Sequence, residues 1–70
     1  MKRARQVKEA AAEIIDRGEK PSAVRLADQI GYSEPDIHRC LNFLEKNGEV
    51  KTYSRKVFGT RHRMVSVKRT

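Results

Sequence analysis

The fold is decided by residues 22–50, which read SAVRLADQIGYSEPDIHRCLNFLEKNGEV. Ser22 and Ser33 each stand just before a run of apolar residues at helical spacing. Serine is a preferred N-cap because its hydroxyl accepts a hydrogen bond from a free backbone N–H. Gly31 stands between the two runs, where glycine allows a sharp reversal because it adopts the left-handed conformation at little cost. The stretch therefore predicts two short helices joined by a tight turn.

Both predicted helices have their apolar residues at intervals of three or four positions, as expected for helices that bury one face. The first spans about residues 23–30 and the second about residues 34–47, with Pro35 in its first turn, where a missing N–H does no harm. Two short helices joined by a short turn that contains glycine are typical of a helix-turn-helix. Their buried faces are predicted to contain Leu26, Ala27, Ile30, Ile37, Cys40, Leu41 and Leu44.

An amphipathic helix is predicted N-terminal to this stretch, over about residues 3–17. Gly18 suits its C-terminal cap, and Pro21 prevents its continuation because proline lacks a backbone N–H. The apolar residues recur at helical spacing and therefore define one buried face. That face is predicted to consist of Val7, Ala10, Ala11, Ile14 and Ile15.

A β-hairpin is predicted C-terminal to the helices, over about residues 50–68, because the segment is rich in β-branched and aromatic residues with partial alternation. We expect its turn at Gly59 and Thr60, with Tyr53 packed on the core and Phe58 exposed near the tip. A disordered basic tail is the competing interpretation of the same segment. The predicted fold class is mainly α with a C-terminal β-hairpin, in one domain that takes in the whole chain of 70 residues.

The charge of the chain is concentrated at one end. The 16 Lys and Arg residues outnumber the 9 Asp and Glu residues, and the net charge is +7. Such a basic balance indicates an anionic partner, with nucleic acid as the leading candidate. Residues 1–20 contribute +2, residues 21–48 contribute −1 and residues 49–70 contribute +6. A nearly neutral pair of helices is thus followed by a strongly basic hairpin.

Composition and motifs disfavour several other classes of protein. Cys40 is the single cysteine, and it lies on an apolar helix face, so we expect a small core residue in a reducing compartment. The chain has no C-x-x-C pair and no glycine-rich phosphate loop, so we expect no metal site, no cofactor and no enzyme. No apolar run approaches the roughly 18 residues of a membrane span. We therefore expect a cytoplasmic protein with no membrane partner.

Residues 37–50, IHRCLNFLEKNGEV, resemble the recognition helix and first wing strand of winged helix-turn-helix proteins. The resemblance covers about residues 5–68. It implies a small transcription regulator of bacterial, phage or plasmid type that binds double-stranded DNA. In that superfamily the third helix enters the major groove, and the hairpin, called the wing, touches the backbone or the minor groove. The residues that carry the resemblance are Ile37, Arg39, Leu41, Leu44, Glu45, Gly48 and Val50.

The candidates for base reading lie on the predicted exposed side of the third helix. At about 100° per residue, Arg39 and Asn42 lie opposite the apolar face, with His38 on the flank. Arginine can bind guanine through two hydrogen bonds, and asparagine can bind adenine in the same way. His38 and His62 are interpreted as surface groups that strengthen DNA binding when protonated. An ordinary solvated polar face is the alternative interpretation of these residues.

Phosphate contacts are predicted near the helix starts, at the end of the third helix and on the wing. They are Arg25, Ser33 and Lys46 on the helices, and Arg55, Lys56 and Arg61 on the wing. We interpret three further wing cations, Arg63, Lys68 and Arg69, as solvated. Glu34 and Asp36 oppose this interface, because carboxylates in the first turn stabilise a helix but repel phosphate.

Two further functions stay open at the level of sequence. A winged-helix domain can act as an adaptor, through a larger DNA-binding protein rather than through DNA itself. A hairpin with a charge of +6 also attracts structured RNA. A monomer and a weak homodimer are equally compatible with the sequence. If the chain binds DNA, we expect it to be associated with the nucleoid.

Overall fold

The structure, a computed structural model, describes residues 2–67. Its order of three helices followed by a two-stranded antiparallel hairpin confirms the predicted fold class. The predicted bounds agree with the observed ones to within one residue, and residue 68, the predicted end of the hairpin, lies outside the described residues. The elements are α1 (Lys2–Asp16), α2 (Ala23–Ile30), α3 (Glu34–Lys46), β1 (Val50–Val57) and β2 (Thr60–Val67).

The turn between α2 and α3 has the predicted caps. The backbone N–H of Arg25 donates to Oγ of Ser22 over 3.1 Å, and the backbone N–H of Asp36 donates to Oγ of Ser33 over 3.3 Å. Gly31 lies between the two helices with a φ of +82°, in the left-handed region that residues with a side chain adopt only with strain. These local interactions end α2 and start α3, and they set the direction in which α3 leaves the turn.

The hairpin turn lies one residue earlier than predicted. Val57 pairs with Thr60, so the loop consists of Phe58 and Gly59, and Thr60 already belongs to β2. Both loop residues have positive φ, +50° for Phe58 and +81° for Gly59. Positive φ at both positions defines a type I′ turn, whose twist matches the right-handed twist of the two strands.

At the start of β1, alternate residues face the helices, and this alternation corrects the prediction for Tyr53. Val50 and Val65 are each 2% exposed, whereas Tyr53 is 43% exposed. Thr52 pairs with Val65 and shares its face, so Tyr53, one residue further on, faces away from the helices. The expectation that Tyr53 packs on the core is therefore wrong.

The core lies where the three helices meet, and the hairpin closes it on one side. Val50 and Val65 are the hairpin's fully buried contributions. The predicted buried faces of the helices are confirmed except at Ile15 and Ile30, which are only partly buried. The helical residues of the core are Ala4, Val7, Ala10, Ala11, Ile14, Ala23, Leu26, Ala27, Ile37, Cys40, Leu41 and Leu44.

A second contact joins the hairpin to the start of α2. The backbone N–H of Val65 donates to the carbonyl oxygen of Pro21 over 3.0 Å, and Ser22 forms a β-bridge with Met64. The bridge adds a short third strand to one edge of the hairpin, so β2 has partners on both sides along this part of its length. The hairpin is thereby held at a defined position relative to the helices.

We predict that two substitutions in the same helix, two residues apart, differ strongly in their effect on stability. Leu26→Ala removes a side chain that is 0% exposed and should lower the free energy of unfolding by about 2–5 kcal/mol. Val24→Ala changes a side chain that is 47% exposed and should stay within about 0.5 kcal/mol. Urea unfolding followed by circular dichroism measures both values. Equal losses would contradict the described core.

Candidate nucleic-acid interface

Arg63 on β2 joins the hairpin to α3. Its Nη1 lies 3.1 Å from Nδ1 of His38, and its Nη2 donates to Oδ1 of Asn42 over 2.8 Å. Only 22% of its side chain is exposed. The expectation that Arg63 is solvated is therefore wrong. The physical reason is strand alternation, which places Arg63 on the same face of β2 as the core residue Val65.

A carboxylate of α3 makes the matching contact to β1. Oε2 of Glu45 accepts the backbone N–H of Thr52 over 3.2 Å and its hydroxyl over 2.8 Å. These two hydrogen bonds, helped by the positive charge of Arg63, hold the pKa of Glu45 below its ordinary value. Nη2 of Arg63 lies 3.7 Å from Oε1 of the same carboxylate. We call Arg63, His38, Asn42, Glu45 and Thr52 the Arg63 cluster.

The Arg63 cluster decides how His38 and Asn42 present their polar groups. A guanidinium is a donor only, so Nδ1 of His38 must accept and the ring proton must be on Nε2. Oδ1 of Asn42 likewise accepts from Arg63, which leaves the two N–H groups of its amide as donors to other molecules. Both residues therefore offer hydrogen-bond donors outward.

The histidines are not the freely exposed groups that the sequence suggested. His38 and His62 are both half-buried. His38 lies against the hairpin, and His62 lies on the face of the hairpin opposite to Arg63, so both rings are only partly accessible. Their contribution to DNA binding stays a prediction.

The outer face of α3 is exposed and carries the remaining candidates of that helix. The side chain of Arg39 is 79% exposed, and its only ion pair within residues 2–67 is a loose one, 3.9 Å from Asp36. Lys46 is exposed in the last turn. Asp36 also lies 3.9 Å from Arg3 of α1, so two guanidinium groups offset the charge of this carboxylate. The acidic start of α3 is therefore less repulsive to phosphate than its sequence suggests.

The predicted cations of the hairpin do not share one face. Lys56 pairs with Arg61 across the strands, on the face that carries Arg63 and points toward α3, whereas Arg55 pairs with His62 on the opposite face. Lys56, Arg61 and Arg55 are all exposed, and no carboxylate of the described residues forms an ion pair with them. Lys56 and Arg61 thus extend the surface of α3 toward the hairpin tip. Lys68 and Arg69 lie outside the described residues.

The two predicted phosphate contacts at helix starts already have partners in the chain. Both terminal nitrogens of Arg25 donate to the carboxylate of Glu19 over 2.9 Å. This two-point hydrogen bond lowers the pKa of Glu19 and raises that of Arg25. Oγ of Ser33 accepts from the first turn of α3, so only its hydroxyl proton is free to donate.

Other reactive groups do not form a site in the part of the chain that the structure describes. Cys40 is 2% exposed, and burial raises the pKa of its thiol. It is a core residue, as predicted. No group of three His, Cys, Asp or Glu side chains among residues 2–67 could hold a metal ion. No helix within the same residues is long and apolar enough to cross a membrane.

Arg63 is the residue that the sequence analysis missed, and a simple count would have found it. Position 63 lies two residues before Val65 and four before Val67. In a strand, residues two apart face the same side, so a core position at Val65 predicts that Arg63 points toward the helices.

Comparison with protein-family models, with curated proteins and with solved structures yields no match for this chain. What the chain does is therefore inferred from its own residues.

We predict that Arg63→Met lowers the free energy of unfolding by about 1–1.5 kcal/mol, because the hydrogen bonds of its half-buried guanidinium are lost and water replaces them at the exposed acceptors. Arg61→Met is the matched control, since Arg61 lies on the same strand and face but is exposed and should change the value by less than about 0.5 kcal/mol. Urea unfolding at one salt concentration compares them. A result in which both variants lose the same amount would contradict the Arg63 cluster.

Acid should weaken the contact between α3 and β1. The pKa of Glu45 is lower in the folded chain than in the unfolded chain, so its contribution is full above pH about 4.3 and is lost as the pH falls through the lower folded value. Glu45→Gln does not titrate and should show a shallower decline in stability below that pH. Glu13→Gln, at an exposed position of α1, should keep the steeper decline of the parent chain. Thermal unfolding between pH 6 and pH 3 measures the three slopes, and identical slopes would overturn this role of Glu45.

Proposed function

We propose that this chain binds double-stranded DNA and regulates transcription, with α3 in the major groove and the hairpin on the backbone or minor groove. The observation that carries the proposal is the Arg63 cluster. Its hydrogen bonds join α3 to both strands, so the exposed face of α3 and the cations Lys56 and Arg61 form one continuous surface. A helix and a basic hairpin held in one orientation can engage a groove and its adjoining backbone together.

The distribution of charge supports different roles for the hairpin and for α3 in the proposed DNA binding. Residues 21–48, which contain α2 and α3, have a net charge of −1, and residues 49–70 have +6. Attraction to phosphate grows with the number of cations that displace counterions, so the hairpin supplies most of the affinity. The nearly neutral α3 then supplies discrimination between sequences through groups that reach base edges.

Arg39 is the strongest candidate for direct base reading. Its guanidinium is exposed on the outer face of α3 and has only the loose pair with Asp36 to give up. An arginine in this position can donate two hydrogen bonds to O6 and N7 of guanine. The neighbouring Asp36 keeps its second cation, Arg3, when Arg39 turns toward DNA.

His38 and Asn42 complete the proposed reading surface as donors. Oδ1 of Asn42 accepts one hydrogen bond from Arg63 and keeps a second lone pair, while its amide nitrogen keeps two N–H donors. We assign His38 to base edges that present acceptors, such as N7 and O6 of guanine or O4 of thymine. Asn42 has the groups for the same edges and for the adenine contact that the sequence suggested.

The proposed backbone contacts are ranked by the partners that each cation already has. Lys46, Lys56 and Arg61 are exposed, and the described residues offer them no carboxylate partner. Arg55 lies on the other face of the hairpin and reaches a second stretch of backbone if the hairpin enters the minor groove. Arg25 ranks lower because it must share its guanidinium with Glu19. Ser33 accepts from Asp36 but keeps its hydroxyl proton free to donate to a phosphate.

The resemblance of residues 37–50 to winged helix-turn-helix proteins supports the same proposal. It implies a small transcription regulator of bacterial, phage or plasmid type, and our proposal includes action in the cytoplasm at the nucleoid. The observed order of three helices and a hairpin has the elements that such a domain requires. Action through a larger DNA-binding protein, or on structured RNA, is an outcome that the experiment distinguishes.

The experiment is selection of bound duplexes from a random pool, followed by titration of the recovered duplex at several salt concentrations. We expect an enriched motif, and a slope of log affinity against log salt near about −4.5 if about five phosphates are neutralised. Arg39→Ala should weaken binding to the motif by roughly 1–3 kcal/mol and relax the preference at one position. Lys56→Ala should weaken binding to all sequences and make the slope shallower by about 1.

Lys20→Ala is the matched control, because Lys20 is an exposed lysine in the loop between α1 and α2. It should leave both the motif and the slope unchanged. Equal affinity for RNA and DNA duplexes, with no enriched motif, would replace the proposal with electrostatic binding to RNA. Binding that appears only when a second DNA-binding protein is added would replace it with the adaptor function.

A further inference from the structure

The most exposed apolar side chain of the described residues stands at the tip of the hairpin. Phe58 has a relative exposure of 103%, compared with 47% for Val24, 43% for Tyr53 and 37% for Phe43. A ring that is wholly in water contributes no burial to folding, because hydrophobic stabilisation follows the apolar area removed from water. The folded chain therefore gains no hydrophobic stability from the phenyl ring of Phe58.

The backbone at this position is also unfavourable for phenylalanine. Phe58 has a φ of +50° and is the one non-glycine residue with positive φ among those described. A bulky side chain in the left-handed region is an outlier, and type I′ turns prefer asparagine, aspartate or glycine at this place. Position 58 thus holds a residue that neither the turn nor the core requires. An outlier of this kind is a reason to look for function.

The surroundings of Phe58 favour a polyanion as its partner. Arg55, Lys56 and Arg61 lie within three residues of it and are exposed. Residues 50–70 contain no aspartate or glutamate. An aromatic ring among cations suits a ligand that offers both phosphates and flat apolar surfaces, and nucleic acid offers phosphates and base pairs.

The shape of the tip favours the minor groove of a duplex. A two-residue loop presents one ring at the end of a narrow ribbon, and the minor groove is about 6 Å wide. Attachment to a lipid surface usually needs several apolar side chains on one face together with cations. Here Tyr53, the other exposed aromatic residue of the hairpin, lies several residues from the tip, so Phe58 stands alone there.

We infer that Phe58 is a wedge that inserts between two base pairs from the minor groove, opens that step and bends the duplex. The inference rests on the proposed function. Proteins that insert apolar side chains in this way favour steps that unstack easily, such as TA and CA/TG. Phe58 would then add a preference for such a step beside the motif read by α3, without any hydrogen bond to a base.

The test compares Phe58→Asn with Phe58→Trp. Asparagine suits a type I′ turn, so we expect Phe58→Asn to raise the urea midpoint of unfolding or leave it equal. The same substitution removes the ring, so the affinity for the duplex should fall about five- to hundredfold. Tryptophan keeps an aromatic wedge and should retain most of the affinity. The slope of log affinity against log salt should be the same in both variants and the parent, because no charge changes.

The direct readout is a duplex that carries 2-aminopurine at successive positions beside the selected motif, or a mixed-sequence duplex if no motif is enriched. The parent chain and Phe58→Trp should raise the fluorescence at one step, where the base loses its stacking partner, and Phe58→Asn should not. Energy transfer between dyes at the duplex ends should show a bend that depends on the ring in the same way.

Each outcome decides between the wedge and its alternatives. If Phe58→Asn keeps the motif, the affinity and the bend, the wedge is wrong and the proposed function stands. If the parent chain binds no duplex, the wedge and the proposed function are both wrong. Loss of binding to vesicles of phosphatidylserine and phosphatidylcholine in Phe58→Asn, with no unstacking in the parent, would assign the ring to a membrane surface instead.

Discussion

Arg63 is the side chain through which β2 contacts α3. It acts together with the hydrogen bonds from Val65 to Pro21 and from Thr52 to Glu45, which also hold the hairpin on the helices. Arg63 donates to Asn42 over 2.8 Å, lies 3.1 Å from Nδ1 of His38 and adds its charge beside Glu45. Arginine suits this place because its planar fork offers donors in several directions and is always charged, whereas lysine is a point charge on a flexible stem. The apolar contacts of Val50 and Val65 close the core below this group. The Arg63 cluster then determines which side of the hairpin continues the surface of α3.

In the proposed DNA complex, attraction and discrimination come from different elements of one surface. The excess charge lies in residues 49–70, which contain the hairpin, and residues 21–48, which contain α2 and α3, are close to neutral. The carboxylate of Asp36 would oppose phosphate at the start of α3, but Arg3 and Arg39 both lie 3.9 Å from it. If the chain binds DNA as proposed, salt weakens the attraction by the hairpin cations more than it weakens hydrogen bonds to bases.

Local rules predicted most of the fold and the exposed half of the candidate site. Helical periodicity, two serine caps and Gly31 were sufficient for the helices, and Arg39 follows from the helical wheel alone. Predictions that depend on the hairpin register were weaker. The turn was placed one residue late, and Tyr53 was assigned to the core, since partial alternation does not reveal which residues face the helices. A shift of one residue exchanges the two faces of a strand.

The sequence by itself determined the three helices, their caps, the basic hairpin and the concentration of charge in residues 49–70. Each of these follows from interactions between residues a few positions apart. Only the tertiary structure decided which groups of α3 Arg63 contacts, and so which atoms of His38 and Asn42 are already hydrogen-bonded within the chain. Arg63 is 25 residues from His38 and 21 residues from Asn42 in the chain. The neighbouring donor or acceptor decides which nitrogen of a histidine carries the proton and which atoms of an asparagine amide are left without a partner. Only packing brings Arg63 next to His38 and Asn42.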